Sequence, residues 1–405
     1  MLPRSRSAAE FFTNCRIVDL HAGAVTSKRT VRVVDGIVAD TDAGSTPPGA
    51  DAVDMRGMYV LPGLVSCHAH LQAQYPYSKR SETEPPQLTA LRAAHSAART
   101  LEAGITTVRC VHEQSRADLA VRTGAAAGWL DAPRILAAGR ALTVAGGHGD
   151  GLGCVVASGK DGFCSAAAAE LAAGADHVKI FLTGGLARAG ERVGDLQMHP
   201  DEIAGAVEAA QTQGSYVVAH AASGHAIRAG LAAGVRSFEH GYELDTATAA
   251  SLAAADVFLT PTLVVTHASG WMSRQGFDSQ AIARNEQARE QHEHSAELAI
   301  AAGVRLVNGT DFPPADSLED GCPMFVREAE LLTEAGMTPL DSLRAATLTP
   351  ADLLGLAGQV GTITPGAVAD MVALPQDPLQ SASALRGIQL VIKGGQVIRA
   401  GEPTG

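Results

Sequence analysis

The chain has 405 residues, 46% hydrophobic and 18% charged, with 31 Lys and Arg against 43 Asp and Glu for a formal charge of -12. That composition excludes a disordered or low-complexity chain, and at roughly 150 residues per domain the length predicts two domains, one of them large. The acidic balance, with no basic run, argues against a nucleic-acid partner, and no stretch reaches the ~18 apolar residues of a membrane span. The opening MLPRSRSAAEFF has basic residues but no apolar run behind them, so a cytoplasmic location is expected. Cys15, Cys67, Cys110, Cys154, Cys164 and Cys322 include no C-x-x-C pair and read as reduced thiols.

From Asn14 to about Met58, short β-like runs (CRIVDL, RTVRVVDGIVAD, AVDMRGMYVL) are broken by turn signals such as Asp35-Gly36 and Pro47-Pro48-Gly49. Between Leu61 and about Leu356, short apolar runs alternate with Ala-rich helical segments, as βα units and a parallel sheet require. Strands are predicted near Leu64–Cys67, Thr106–Val111, Arg134–Ala138, His177–Leu182, Tyr216–Ala219, Arg236–Phe238, Val257–Pro261 and Arg305–Gly309. Eight such units predict an α/β fold of the (β/α)8 TIM-barrel type. β-like texture returns in GTITPGAVADMVAL and IQLVIKGGQVIRAG, so residues 1–60 and 358–405 are expected to form a discontinuous β-sandwich domain flanking a barrel over 61–357.

The chemistry sits at predicted strand ends. His68-Ala69-His70 follows the run Tyr59–Val65, and in an extended strand residues i and i+2 face one way, so both imidazoles point to one side. They are a metal-ligand pair or two polar residues leaving a strand. Lys179 stands inside Val178-Lys179-Ile180-Phe181-Leu182, one of only five lysines. Burial drives an ammonium toward the neutral amine, so Lys179 either finds a carboxylate or strand end, or is carboxylated by CO2 into an anionic ligand able to bridge two cations. His220 ends the fifth run and His240 the sixth, each directly before a Gly- or Ala-rich loop, and Asp311 ends the eighth. Any one alone suits a solvated strand end; together all six project toward the C-terminal face, where barrel enzymes keep their active sites.

With these residues, and with Leu61-Pro62-Gly63-Leu64-Val65, Thr183-Gly184-Gly185, Glu239-His240-Gly241, Gly309-Thr310-Asp311 and the closing Gly361–Asp370 segment, the chain resembles the amidohydrolase superfamily of metal-dependent hydrolases. Gly146-Gly147-His148-Gly149-Asp150 and Glu239-His240-Gly241-Tyr242 make it most similar to the imidazolonepropionase-like and Xaa-Pro dipeptidase-like branch. The resemblance implies that His68, His70, Lys179 and Asp311 hold one divalent metal ion and Lys179, His220 and His240 a second, with zinc as the default and Lys179 carboxylated. Ser66 stands where many relatives carry an acidic or amide residue, and Phe312-Pro313-Pro314 where many have Ala-Gly.

On that basis the chain is expected to hydrolyse an amide C–N bond of an N-acyl amino acid or dipeptide-like small molecule, with Asp311 as general base and His148 steadying the oxyanion. His148 otherwise orders its own glycine loop, and Tyr242 contacts substrate or packs over the loop. Arg188 and Arg192 read as solvated, or as binding a substrate carboxylate, a role given first to Arg188. His292 and His294, in the Gln-, Arg- and Glu-rich stretch 284–297, read as an exposed helix. The rivals are a mononuclear deaminase or imidazolonepropionase-type ring hydrolase, disfavoured by Lys179 and by the lack of a glutamate just after His220, and a non-catalytic relative. A homo-oligomer is expected.

Overall fold

The computed structural model describes residues 9–186 and 190–400. Eight strands run through the middle of the chain: β1 (Leu64–Ala69), β2 (Ile105–Cys110), β3 (Arg134–Leu136), β4 (Val178–Phe181), β5 (Val217–Ser223), β6 (Ser237–Glu243), β7 (Phe258–Thr260) and β8 (Arg305–Leu306). Each falls on one of the apolar runs read from the sequence. β1 to β3 pair in parallel in one sheet; β4 to β8 pair in parallel, in chain order, in another, which the short strands Leu142–Thr143 and Val155–Val156 extend beyond β4. Asp176 N donates to Ala137 O (2.7 Å) at one seam between the sheets, and Cys67 N of β1 donates to Asn308 O (2.8 Å) at the other. β2 and β4 are buried along their whole lengths, the pattern of parallel strands covered on both faces rather than alternating.

The helices begin where the side chains supply caps. Pro200–Thr212 starts with proline at its first position, and Glu202 accepts from His199 N (2.8 Å) while the His199 ring accepts from Asp201 N. The hydroxyl of Ser223, the last residue of β5, accepts from Ala226 N and caps the helix Gly224–Ala233 directly. No loop intervenes there.

Strands from both chain ends share one eight-stranded mixed sheet: Phe11–Asp19, Ala24–Val34, Ile37–Asp40, Ala52–Asp54 and Tyr59–Pro62 with Met371–Leu374, Leu390–Lys393 and Gln396–Ala400. The two ends meet where Tyr59–Pro62 runs antiparallel to Met371–Leu374, pairing Val60 with Ala373. Phe12, Cys15, Val31, Met55, Met371 and Ile392 form the core of this unit. Of the β-like run 361–374 only Met371–Leu374 is a strand; Pro365 has no N–H to give a ladder.

Two local expectations are corrected. The helix Ser279–Ala301 is not exposed throughout: His292 is fully buried and donates from Nε2 to Pro261 O (2.8 Å), while His294 faces solvent. Its buried stripe is polar or small, Asn285, His292, Ser295, Ala296 and Ala299, so composition hides it. The other correction concerns strand ends. β5 and β6 run three residues past His220 and His240, and β8 stops at Leu306, so Asp311 lies on irregular chain beyond it. Thr310 N and Asp311 N both donate to His68 O (3.2 Å each), which pulls this segment onto β1 and sets Asp311 at φ 59°. Gly309 permits the approach, since a Cβ there would lie 2.6 Å from His68 N.

Candidate active site

His68, His70, Lys179, His220, His240 and Asp311 line a single cavity, together with His148 and Tyr242. Lys179 and His68 are each 1% exposed. The side-chain nitrogen or oxygen atoms of His68, His70 and Asp311 all lie within 4.8 Å of one another, with both Nε2 atoms 3.1 Å from Asp311 Oδ1. His220 and His240 stand ring to ring at 4.5 Å, and His240 is 5.0 Å from His68. Arg188 lies outside the described residues, and Arg192 is exposed in an ion pair with Asp195 (2.9 Å).

Each ring is aimed by the nitrogen that faces away from the cavity centre. His68 Nδ1 donates to Glu239 Oε2 (2.6 Å), His70 Nδ1 to His112 O (2.9 Å) and His220 Nε2 to Gly184 O (3.0 Å); His240 Nδ1 pairs with the Thr262 hydroxyl (2.7 Å). Carbonyl and carboxylate oxygens only accept, so the named nitrogens of His68, His70 and His220 carry a proton, and in a neutral ring of this kind the opposite nitrogen is a lone pair. Burial holds His70 below its usual pKa, and His220 and His240 well below, which keeps these rings neutral. Burial alone would raise the Asp311 carboxyl, yet His68 and the contacts to both rings hold it well below the carboxylate range. The Nε2 atoms of His68 and His70 therefore both meet one anionic oxygen. A cation is what such a donor set takes.

Lys179 supplies the second sign of fit. Its Nζ is buried without a hydrogen-bond partner among the described residues, and burial lowers the ammonium to about 8. His240 and Asp311 also hold left-handed backbones, φ 71° and 59°, a strain that non-glycine residues carry mainly at functional positions.

Under this cluster lies a support the sequence reading missed. Arg109, 0% exposed on β2, donates to Cys67 O (2.6 Å), Ser237 Oγ (3.0 Å) and Glu239 Oε1 (2.7 Å). Burial pushes the Glu239 carboxyl up, but Arg109 and His68 overcome it and hold it at about 2. Glu239 is thus an anion whose other oxygen orients His68. The signal was available: Arg109 interrupts the apolar run Ile105–Val111 just as Lys179 interrupts its own. Arg109→Met leaves that carboxylate buried without its guanidinium partner, so urea denaturation should show a loss of about 3–5 kcal/mol, and the variant should bind metal about 10–100-fold more weakly. A loss below about 1 kcal/mol would mean that Glu239 finds another partner.

His148 is also built in. Its backbone N–H donates to Gln197 Oε1 (2.8 Å), its carbonyl accepts from Thr143 Oγ1 (2.7 Å) and its Nδ1 pairs with Glu191 Oε2 (2.6 Å). The ring stacks on His220 at 4.6 Å. A Cβ on Gly185 would lie 2.4 Å from this ring, so only glycine leaves room for it. Tyr242 stacks on His240 (5.2 Å, 6°) and meets His292 edge-on (4.6 Å). Phe312, the residue after Asp311, packs on Trp271 (4.6 Å) and Tyr75 (5.5 Å) in an aromatic wall.

Parallel sheets with histidines and a carboxylate gathered at their C-terminal ends define a metal-dependent hydrolase of TIM-barrel-like fold. The chain belongs to the amidohydrolase family, whose model matches residues 59–398, and is a hydrolase acting on C–N bonds. It is 25% identical to ochratoxinase from Aspergillus niger over 373 residues, 84% of this chain and 75% of that protein. Its structure is similar to a crystal structure of a prolidase complexed with N-methylphosphonate-L-proline (TM-score 0.88, 28% identity, 96% of this chain and 99% of that one). It is similar also to a Xaa-Pro dipeptidase with bound methionine in the active site (TM-score 0.87, 25% identity, 96% and 99%). The family is generally metal-dependent, and His68, His70 and Asp311 form a group able to hold an ion.

Proposed function

We propose that this chain is a binuclear metal-dependent amidohydrolase that hydrolyses the amide bond of an N-acyl amino acid or a dipeptide-like small molecule. The observation that carries this reading is Lys179, a buried amine without a hydrogen-bond partner among the described residues, in the cavity lined by six histidines and Asp311. The ammonium first gives up one proton; the neutral Nζ then joins CO2 with loss of a second, so a costly cation becomes an anion with two ligating oxygens. His68, His70, Asp311 and carboxylated Lys179 would then hold one divalent ion, and Lys179, His220 and His240 a second; zinc suits this mixed set. Ions bound there polarise a carbonyl and lower the pKa of water.

The chain's own groups do the rest. Asp311 takes the proton of the attacking water and returns it to the leaving nitrogen. His148, its Nδ1 held by Glu191, would donate from Nε2 to the carbonyl oxygen as negative charge develops, a role that takes the doubly protonated ring. Tyr242 bounds the substrate on the β6 side. His148→Ala should lower kcat by ~10²–10³ with metal content unchanged; loss of metal would make it a ligand, and a fall in thermal stability alone would make it a loop-ordering residue.

The eight strands are read as one closed barrel over residues 61–357, with 1–60 and 358–405 as a discontinuous β-sandwich; the seam hydrogen bonds at Ala137 and Asn308 and the shared terminal sheet support that division. No helix among the described residues is long and apolar enough to cross a membrane, and all six cysteines are free. Both features support a cytoplasmic enzyme, and a homo-oligomer acting on small molecules is part of the same reading. The test is a screen of protein prepared with bicarbonate and zinc against N-acyl amino acids, dipeptides including Xaa-Pro, and lactams. Turnover of the first two groups is expected; turnover of ring lactams alone would move the chain to the imidazolonepropionase-type reading.

A further inference from the structure

The loop after β1 brings Arg80 to the same cavity as His68, His70 and Asp311. Its guanidinium carbon lies 4.4 Å from the centre of the Tyr77 ring and 5.9 Å from that of Tyr75. Nε reaches Gln74 O at 3.4 Å, and Nη2 is buried with no hydrogen-bond partner among the described residues. Among the described residues, no carboxylate approaches Arg80 within the 4.0 Å of an ion pair. Arg92, from the helix that follows, is in contrast paired with Glu84.

A cationic N–H out of water and without an acceptor costs free energy unless something arrives to accept it. Arg80 is also held in advance. Ser81 O accepts from Gln114 Nε2 (2.8 Å) and Glu82 Oε1 from Gly153 N (2.9 Å), so the residues after it are pinned to the loops beyond β2 and β3. A preorganised, half-buried guanidinium stacked on an aromatic face suits a planar anion, and above all a carboxylate. Phe277, Met272 and Phe312 line the same cavity and offer apolar surface.

We propose that Arg80 is a specificity-determining residue that binds the free carboxylate of the substrate's amino-acid portion, with an apolar or aromatic side chain resting against the Tyr77 and Phe277 wall. This deepens the function proposed above and rests on it for the position of the scissile amide. It makes the enzyme one that acts on the last amide before a free carboxylate, not on amides at large.

The experiment uses the zinc-loaded protein with N-acetyl-L-phenylalanine and its carboxamide, which differ only at the carboxyl group. Calorimetry gives the dissociation constants, KM replaces them where turnover occurs, and hydrolysis is followed in the same samples. The carboxylate should be preferred by about 10–100-fold, the range of a charge-assisted hydrogen bond. In Arg80→Met, which keeps the apolar stem over Tyr77, the preference should vanish through weaker binding of the carboxylate alone; Arg80→Lys should keep part of it, having the charge without the fork. Equal binding of both ligands by the parent protein, no binding of the carboxylate, or an equal loss for both ligands in Arg80→Met and Arg80→Lys would overturn the proposal. Selective binding of the carboxylate without hydrolysis of any compound in the screen would leave Arg80 in place and sink the proposed substrate class instead.

Discussion

Asp311→Asn should lower turnover by at least the ~10²–10⁴ that general acid-base catalysis contributes. Asn keeps the size of the side chain and one oxygen, so the 3.1 Å contacts to His68 and His70 can persist, but an amide does not take a proton near neutral pH. The parent carboxyl stays ionised because the two rings hold it well below the carboxylate range. As its folded pKa is depressed, the base form is complete at neutral pH and disappears only as pH falls through that low value, so no acid limb from Asp311 should appear near pH 6. Metal content measured by elemental analysis should fall less than turnover. Near-normal turnover in Asp311→Asn would remove Asp311 from the proton path and leave it a ligand only.

Lys179→Ala should cut metal content from about two ions per chain to one or fewer and bring hydrolysis close to background, since the bridging ligand is lost. The fold should survive. Lys179 Nζ makes no hydrogen bond that the substitution could break, and removing a buried, unpaired charge offsets part of the cavity cost. Lys179→Met, which fills more of the space, separates the two effects: it should match the parent in thermal midpoint and match Lys179→Ala in metal content. The parent protein carries a further signature. Carboxylation needs the neutral amine, and burial lowers the Lys179 ammonium to about 8. Metal loading in bicarbonate should therefore rise between pH 6.5 and 8.5 as the amine deprotonates. Two ions per chain in Lys179→Ala, or loading indifferent to bicarbonate, would count against the bridge.

The free Nη2 of Arg80 and the exposure of Arg192 change where substrate recognition is sought. Sequence reasoning looked for a substrate carboxylate beyond β4, because Arg188 and Arg192 follow a conspicuous Gly-Gly pair. Nothing local distinguishes Arg80 from its solvated neighbours Lys79 and Ser81; its role depends on walls from Tyr77 and Phe277, far apart in the chain.

By itself the sequence determined the eight strands and the order of the ligand candidates along them. Full burial of parallel strands produces continuous apolar runs, and a polar residue such as Lys179 interrupting one stands out against them. Paired apolar and turn signals were likewise enough to predict β-structure at both chain ends. Tertiary structure alone decided what satisfies each polar group. The Nδ1 of His68 finds Glu239, and Glu239 finds Arg109, across 171 and 130 residues of chain; His292 meets Pro261 O on a helix whose composition looks exposed; Arg80 Nη2 finds no hydrogen-bond partner among the described residues. Hydrogen bonds and ion pairs are short-ranged and directional, so which groups they join depends on how the strands and loops come together in space.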